Sequence, residues 1–140
     1  AKEQIVITNS IVDEELAYLA YSNRDTLLKT TREIIDKHRA IFNQWLKQNG
    51  NKIECAEPQA GVVAFPRLKF ANQLDAQKEE AVLKAFYKTL QQDLKTFVGA
   101  GHWFGMSDRY FRVGYGWPNT EELNRGLQCI IKAYDTSVQL

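Results

Sequence analysis

Residues 110–115 have the sequence YFRVGY, in which Arg112 interrupts a run of aromatic and apolar residues. Such a run is typical of a β-strand, and side chains alternate between the two faces of a strand. We therefore expect Arg112 to lie on the face opposite Phe111, Val113 and Tyr115. A buried guanidinium without an anion is costly, so this position predicts either an Asp or Glu partner within the chain or a bound carboxylate.

Three other short segments favour strands. Residues 61–65 (GVVAF) form a compact apolar run that ends at Pro66, and proline is found at the ends or edges of strands. Residues 53–55 and 96–98 are shorter runs of the same kind. Together with residues 110–115 they predict a small sheet of about four strands.

Four segments have the periodicity or the caps of helices. The longest covers residues 23–49, where apolar residues from Ile34 onward are spaced i, i+1, i+4, i+7, i+8, i+11 and i+12 and so form one stripe. His38 lies in that stripe, and we expect it to be a hydrogen-bonded interface or core residue. The other helices are expected over residues 13–21, from residue 75 or 76 to about 93, and from the N-cap Asn119 to about residue 134.

Strands separated by helices predict an α/β fold in the form of a two-layer α+β arrangement, in which the small sheet packs against helices. The 140 residues suit a single domain, residues 1–140. The long helix that precedes the sheet has more apolar stripe than such a sheet needs, which indicates an inter-domain or subunit contact. The alternative is that the whole apolar stripe of this helix packs against the sheet of the same domain.

Charge and cysteine content exclude several classes of function. The 18 Lys and Arg against 17 Asp and Glu give a net charge of +1, which provides no field to attract nucleic acid or anionic lipid. No apolar run approaches the ~18 residues of a membrane span, and no secretory signal opens the chain. The two cysteines and two histidines show neither a disulfide framework nor metal-ligand spacing. We expect a cytoplasmic protein without nucleic-acid or membrane partners and without a bound metal.

The glycine-rich loop at residues 99–105 does not match a nucleotide site. Its spacing, Gly-x-Gly-x-x-x-Gly, differs from the dinucleotide fingerprint, and the loop leads into a strand rather than a helix. We expect a turn-rich loop whose glycines let the backbone pass close to another group. No nucleophile–base arrangement can be assembled from the chain's serines, histidines and carboxylates, so no catalytic residue is predicted.

Several segments, in order along the chain, resemble the small domain of class I/II aminotransferases, which are pyridoxal-phosphate enzymes of fold type I. Residues 58–68 resemble the family's Pro-x-Gly-Gly segment, and residues 98–105 resemble its Pro-Gly-x-x-Phe-Gly loop. Residues 110–116 look like its arginine-containing strand, and residues 119–133 are similar to its Glu-Glu-Leu-x-x-Gly-Leu-x-x-Ile helix. The helix at residues 23–49 matches the helix that links the two domains of the family.

The likeness covers residues 10–134 and departs from the family's pattern at two positions. Ala60 stands where a second glycine is usual, and Ala100 stands where the family commonly has proline. Neither departure affects Arg112.

The resemblance implies a role for Arg112, which in the family binds the α-carboxylate of the amino-acid or 2-oxo-acid substrate. His102 and Phe104, in the loop before the strand, are expected to line the substrate pocket, with a merely structural loop as the alternative. The Schiff-base lysine and the other groups that hold pyridoxal phosphate belong to the family's large domain. We therefore expect no cofactor-binding residue in this chain.

The resemblance also implies what the whole protein does. Residues 1–140 are expected to be the small C-terminal domain of a larger aminotransferase, inactive by itself, and the missing initiator Met and the excess apolar stripe agree with this. The parent would transfer an amino group between an amino acid and a 2-oxo acid on pyridoxal phosphate, in amino acid metabolism, as a cytoplasmic homodimer. Another fold-type I reaction (a lyase, decarboxylase or cyclising synthase) and a free-standing, non-catalytic binding module are the alternatives.

Overall fold

The structure, a computed structural model, describes residues 9–70 and 74–139. The chain forms two compact units, Ala1–Ile34 and Ile35–Leu140. The single domain that we expect over residues 1–140 stays a prediction.

The described part of the first unit is helical. Helix α1 covers Ile11–Ser22, and its N-cap is Ser10, whose side chain accepts a hydrogen bond from the Val12 backbone N–H. Helix α2 covers Arg24–Gln48 and begins in this unit. α1 has no buried residue. The large apolar side chains exposed in this unit are Ile11, Val12, Leu16, Tyr18, Leu19, Tyr21, Leu27, Leu28 and Ile34.

The second unit contains the remaining helices. Helix α3 covers Ala76–Lys88 and continues as a π-helical turn over Thr89–Asp93. Its N-cap is Asp75, and the Asp75 carboxylate accepts a hydrogen bond of 2.8 Å from the Lys78 backbone N–H. Helix α4 covers Thr120–Ser137 and starts with a capping box between Asn119 and Glu122.

Within the described residues, five short strands form the sheet, and all of their pairings are antiparallel. The strands are β1 (Ile53–Glu54), β2 (Val63–Ala64), β3 (Arg67–Leu68), β4 (Gly99–Ala100) and β5 (Phe111–Gly114). β1 pairs with β3, and β5 lies between β2 and β4. A bridge between Arg67 and Tyr110 joins the two groups of strands. Helices packed on a small sheet confirm the expected fold class.

Two details of the sheet differ from the sequence-based expectation. The strand expected at residues 96–98 is wrong: the Thr96 backbone N–H donates to the Leu90 carbonyl at 2.9 Å and so closes the end of the helix before it. The strand instead begins at Gly99, where the chain pairs with β5. β3 was not anticipated because its two residues carry no pattern of their own and pair with β1 across a loop.

The core lies on one face of the sheet, between the sheet and the helices. Phe111, Val113 and Tyr115 are buried there, as alternation along the strand predicts. Phe42 of α2 stacks on Tyr115 with ring centroids 5.5 Å apart, and Phe86 of α3 lies 5.9 Å from Phe111. Because buried and exposed side chains alternate along β5, Arg112 lies on the face opposite this core.

His38 is a satisfied core residue, which confirms its expected role. Its ring is buried, with Nδ1 2.9 Å from the Tyr115 carbonyl oxygen and Nε2 3.2 Å from Thr120 Oγ1. Because a carbonyl can only accept, Nδ1–H is the donor to Tyr115, and in the neutral ring Nε2 accepts from the Thr120 hydroxyl. His38 therefore joins α2 to the end of β5 and the start of α4.

Within the described ranges, 9–70 and 74–139, no helix combines the length and apolar character needed to cross a bilayer.

Candidate functional site

Arg112 lies in the middle of β5, on the face of the sheet opposite the core. Phe111 and Val113 on either side are buried, whereas Arg112 and Gly114 are exposed. The β4–β5 register places Gly99 directly across from Arg112. The strand therefore holds the backbone of Arg112 rigidly while its side chain projects from the sheet.

The guanidinium of Arg112 lies over an aromatic ring. Its Cζ atom is 5.1 Å from the centroid of Phe104, within the range of a cation–π contact. Among the described residues, no carboxylate oxygen lies within 4.0 Å of the guanidinium nitrogens. Of the two partners that the sequence leaves open, the described part of the chain thus offers no internal acid.

Three other arginines also lie over aromatic rings, and each of these is also paired with a carboxylate. They are Arg24 with Tyr21 and Asp25, Arg67 with Tyr110 and Glu54, and Arg109 with Phe70 and Glu79. The Arg109 guanidinium binds Glu79 through two bonds, because Nε and a terminal nitrogen each donate to one oxygen of Glu79. Within the described residues, Arg112 is the exception: its N–H groups have no acid to bind.

The glycine-rich loop brings Phe104 to Arg112. After β4, Gly101–Phe104 form a 3₁₀ turn that ends at Gly105, whose φ of 69° is left-handed. A Cβ on Gly101 would lie 2.0 Å from the Ser107 carbonyl oxygen, and a Cβ on Gly99 would lie 3.0 Å from Cε2 of Phe104. The expectation that these glycines permit a close approach is confirmed, and one of the groups approached is the Phe104 ring.

Two further aromatic rings extend this cluster along the sheet. Phe65 meets Phe104 edge-on, with centroids 5.4 Å apart, and stacks on Tyr110 at 5.8 Å. The Tyr110 ring in turn lies 5.9 Å from Cζ of Arg67. The outer face of the sheet is thus an aromatic row with Arg112 at one end.

A groove of about 460 Å³ opens beside Arg112, between the β4–β5 edge and α4. Its exposed aromatic walls include Phe97, Trp103 and Trp117, and Trp117 is 98% exposed. Glu122, the acidic residue of this lining, is engaged because its carboxylate accepts the Asn119 backbone N–H at 2.9 Å. The groove therefore offers one free cation beside apolar walls, among the described residues.

His102 lies in a different groove from Arg112. That second groove, of about 750 Å³, lies between α3 and residues 100–108. His102 Nδ1 is 2.7 Å from Asp108 Oδ1, and the same oxygen accepts the His102 backbone N–H at 2.9 Å. Trp103 lines both grooves. Of the three residues singled out from the sequence, the structure brings Phe104 and Arg112 together and places His102 apart from them.

The second groove also contains Tyr87 of α3. Its hydroxyl lies 3.0 Å from the Asp108 carbonyl oxygen and 3.1 Å from that of Tyr110, and it donates to these backbone acceptors. Burial raises the pKa of Tyr87, with the Asp108 carboxylate adding to the shift. A neutral hydroxyl held by two carbonyls ties α3 to the segment before β5, so its role in this groove is structural.

Sequence reasoning missed two residues of the Arg112 groove. Trp103 stands between the two loop residues that were singled out, and its position there is the signal that could have found it. Trp117 belongs to a short connection between β5 and α4, and no periodicity marks it.

The described residues do not form a site for pyridoxal phosphate. A Schiff-base lysine is activated by burial or by a cationic neighbour. Within the described ranges, the lining of the Arg112 groove contains no lysine, and Lys84, which lines the second groove, is exposed there beside Glu79 and Glu80. Nor does the described part of the chain group three or more His, Cys, Asp or Glu side chains that could hold a metal ion.

Solved structures to which this fold is similar include a PLP-dependent cyclase and several aminotransferases. The PLP-dependent cyclase OrfR matches with a TM-score of 0.72 at 22% identity, over 91% of this chain and 32% of that chain. LysN, an α-aminoadipate aminotransferase from Thermus thermophilus, matches with a TM-score of 0.66 at 13% identity, over 89% of this chain and 30% of that chain. The aromatic aminotransferase of Pyrococcus horikoshii matches with a TM-score of 0.60 at 17% identity, over 82% of this chain and 28% of that chain. The chain therefore has the fold of about a third of each of these proteins, which agrees with the sequence resemblance.

In sequence, the chain is similar to capreomycidine synthase of Streptomyces vinaceus, with 28% identity over 135 residues. The match covers 96% of this chain and 32% of that protein. No family model matches the chain. The chain thus spans about a third of the length of the proteins to which it is similar.

Proposed function

We propose that this chain is the small domain of a PLP-dependent fold-type I enzyme and that Arg112 binds the α-carboxylate of its amino-acid or 2-oxo-acid substrate. The observation that supports this most directly is the free guanidinium: among the described residues it has an aromatic neighbour and no acid, and it opens onto a groove. The likeness to enzymes three times as long supports the assignment to one domain of a larger protein.

The guanidinium suits this task for a chemical reason. Arginine presents several N–H donors in one plane, and two of them match the two oxygens of a carboxylate. Each hydrogen bond to such a charged group contributes about 1.5–3 kcal/mol. β5 is paired on both sides, so the backbone of Arg112 is anchored within the sheet.

The chemistry of the proposed parent depends on pyridoxal phosphate, which supplies the electron sink for reactions at the carbon next to the amino group. We propose that a large domain outside these 140 residues holds it, since the described residues form no site for it. We also propose that the whole enzyme is a homodimer, that it is located in the cytoplasm and that its substrates are amino acids and 2-oxo acids.

Amino-group transfer is our first candidate for the reaction, because several proteins with this fold are aminotransferases. A cyclisation on the same cofactor is the second candidate, favoured by the likeness to the cyclase OrfR and to capreomycidine synthase. Carboxylate binding by Arg112 serves both reactions. The two differ in one measurable product: transfer converts an added 2-oxo acid into an amino acid, whereas cyclisation leaves it unchanged.

The proposed role of Arg112 can be tested on this chain directly. We expect pyruvate, the smallest 2-oxo acid, to shift the Arg112 side-chain Nε–H resonance in a saturable NMR titration. The Arg112→Gln variant removes the fork with little change in size, and pyruvate should then leave the groove residues Trp103 and Gly114 unshifted. Equal titrations of the original chain and the variant would contradict the proposal. Arg67→Gln is the matched control, because the Arg67 fork is already occupied by Glu54.

A further inference from the structure

Something other than an ion pair holds the Arg112 side chain in place. An arginine side chain has several rotatable bonds and loses rotamer entropy when it is fixed. Arg67 and Arg109 are fixed by carboxylates, which also occupy their N–H groups. The contact found at the Arg112 guanidinium among the described residues is the face of Phe104, at 5.1 Å.

We propose that Phe104 is a positioning residue for Arg112: its ring holds the guanidinium in place while leaving the N–H groups free for a carboxylate. The negative face of an aromatic ring attracts a cation without accepting its in-plane hydrogen bonds. An acidic partner would hold the side chain equally well but would compete with the ligand. This inference rests on the proposed function: if Arg112 binds a carboxylate, a ring can hold its guanidinium without competing with that ligand.

The loop is built to keep the Phe104 ring in that position. Gly99 faces Arg112 across the ladder, and a Cβ there would lie 3.2 Å from Cβ of Arg112 and 3.0 Å from Cε2 of Phe104. A side chain at position 99 would therefore press on the Phe104 ring, and glycine leaves the space in which the ring lies on the strand. The edge of the ring is supported by Phe65 at 5.4 Å. Gly105, in the left-handed region, turns the chain away directly after Phe104.

The positioning role predicts a change in the ligand-free chain. We expect Phe104→Leu, which keeps an apolar side chain but removes the ring, to lower the order parameter of the Arg112 Nε–H bond measured by ¹⁵N relaxation. The same variant should remove the upfield ring-current shift of the Arg112 side-chain protons. Phe104→Tyr keeps the ring and should behave like the original chain. Gly99→Ala leaves Phe104 intact but displaces its ring, and should act in the same direction as Phe104→Leu.

A matched control is available on the other side of the molecule. Phe70 lies 5.1 Å from Cζ of Arg109, the same separation, but Glu79 also holds that arginine. Phe70→Leu should leave the order of the Arg112 side chain unchanged. An unchanged Arg112 order parameter in both Phe104→Leu and Gly99→Ala would overturn the positioning role.

The pyruvate titration separates this inference from the proposed function. If both hold, Phe104→Leu weakens pyruvate binding about threefold, the size of a cation–π contact at an exposed site, whereas Phe104→Tyr and Phe70→Leu do not. If the original chain binds no pyruvate but Phe104→Leu still mobilises Arg112, the proposed function fails and the positioning stands. If Phe104→Leu binds pyruvate as tightly as the original chain, the positioning fails and carboxylate binding stands.

Discussion

At the scale of single residues, the difference between Arg112 and the other ring-stacked arginines is a difference in partners. Arg67 forms an ion pair with Glu54, and Arg109 forms one with Glu79, so these two guanidinium groups contribute to the fold. The fork of Arg112 has no such partner among the described residues. A charged group that the fold itself does not use is the strongest sign of a ligand in this unit.

The first prediction concerns the Arg112 fork in a complete enzyme that contains this chain. Arg112→Lys keeps the charge but replaces two parallel hydrogen bonds by a point charge, so kcat/KM should fall at least tenfold, which is about 1.4 kcal/mol of transition-state stabilisation. Steady-state kinetics with an amino acid and a 2-oxo acid measure this. Arg67→Lys is the control and should leave kcat/KM within twofold. An unchanged kcat/KM in Arg112→Lys would remove the proposed role.

At the scale of elements, the glycine-rich loop is held by close backbone contacts. Gly101 is buried, and the Ser107 carbonyl oxygen would lie 2.0 Å from an added Cβ. Gly114 on β5 is different, because an added Cβ there meets nothing within 4 Å. Alanine substitutions at Gly101 and Gly114 therefore compare a crowded position with an open one.

We predict that Gly101→Ala lowers the free energy of unfolding by about 2–3 kcal/mol, because the Cβ forces the backbone apart. Gly114→Ala should change it by less than about 0.5 kcal/mol. Urea denaturation followed by circular dichroism measures both values. Similar stabilities of the two variants would mean that the loop is not packed as described.

A second prediction at this scale concerns the attachment of α3 to the segment before β5. The Arg109 guanidinium donates to Glu79 and lowers the pKa of that carboxyl. A carboxyl with a lowered folded-state pKa binds its proton more readily when unfolded, so its stabilising effect is complete above the ordinary glutamate pKa of 4.5 and is lost as pH falls below it. The chain should therefore lose stability between about pH 5 and pH 3.

Glu79→Gln should remove part of this pH dependence, which thermal unfolding at a series of pH values would show. Glu80→Gln is the matched control, because Glu80 is the exposed neighbour on the same helix and has no ion pair within the described residues. If Glu79→Gln has the same pH profile as the original chain, the ion pair contributes nothing to stability.

At the scale of the whole molecule, the two units differ in how much they bury. The core residues come from Ile35–Leu140, from Phe42 of α2 to Tyr134 of α4. The described part of Ala1–Ile34 has many exposed apolar side chains and no buried residue in α1. The stability of the core should therefore reside in the second unit.

This predicts that a chain shortened to residues 35–140 unfolds cooperatively, with a Tm within about 5 °C of the original, because it keeps every member of the core. Scanning calorimetry would measure the transition. A shortened chain without a cooperative transition would mean that the first 34 residues are part of the folding unit. The pyruvate titration should also be the same in the shortened chain, since Arg112 and its groove are retained.

How much the sequence revealed depended on the distance over which each signal acts. The cap at Asn119 and the alternation in β5 were predictable, because each depends on residues within one turn or one strand. β3 and the true start of β4 were not, because two-residue strands are specified by the partners with which they pair. Likewise, Phe104 and His102 are equivalent loop residues in the sequence, and only the folded loop places Phe104 against Arg112 and His102 in the other groove.

The sequence by itself therefore determined the helices, the two-faced strand with a lone arginine and the likeness to fold-type I enzymes, because these are encoded in the order and spacing of neighbouring residues. Tertiary structure alone decided that the described residues give Arg112 no acid and that a ring covers it instead. The physical reason is that a charge partner is chosen by distance in space, and the groups that could reach Arg112 come from segments far apart in the chain.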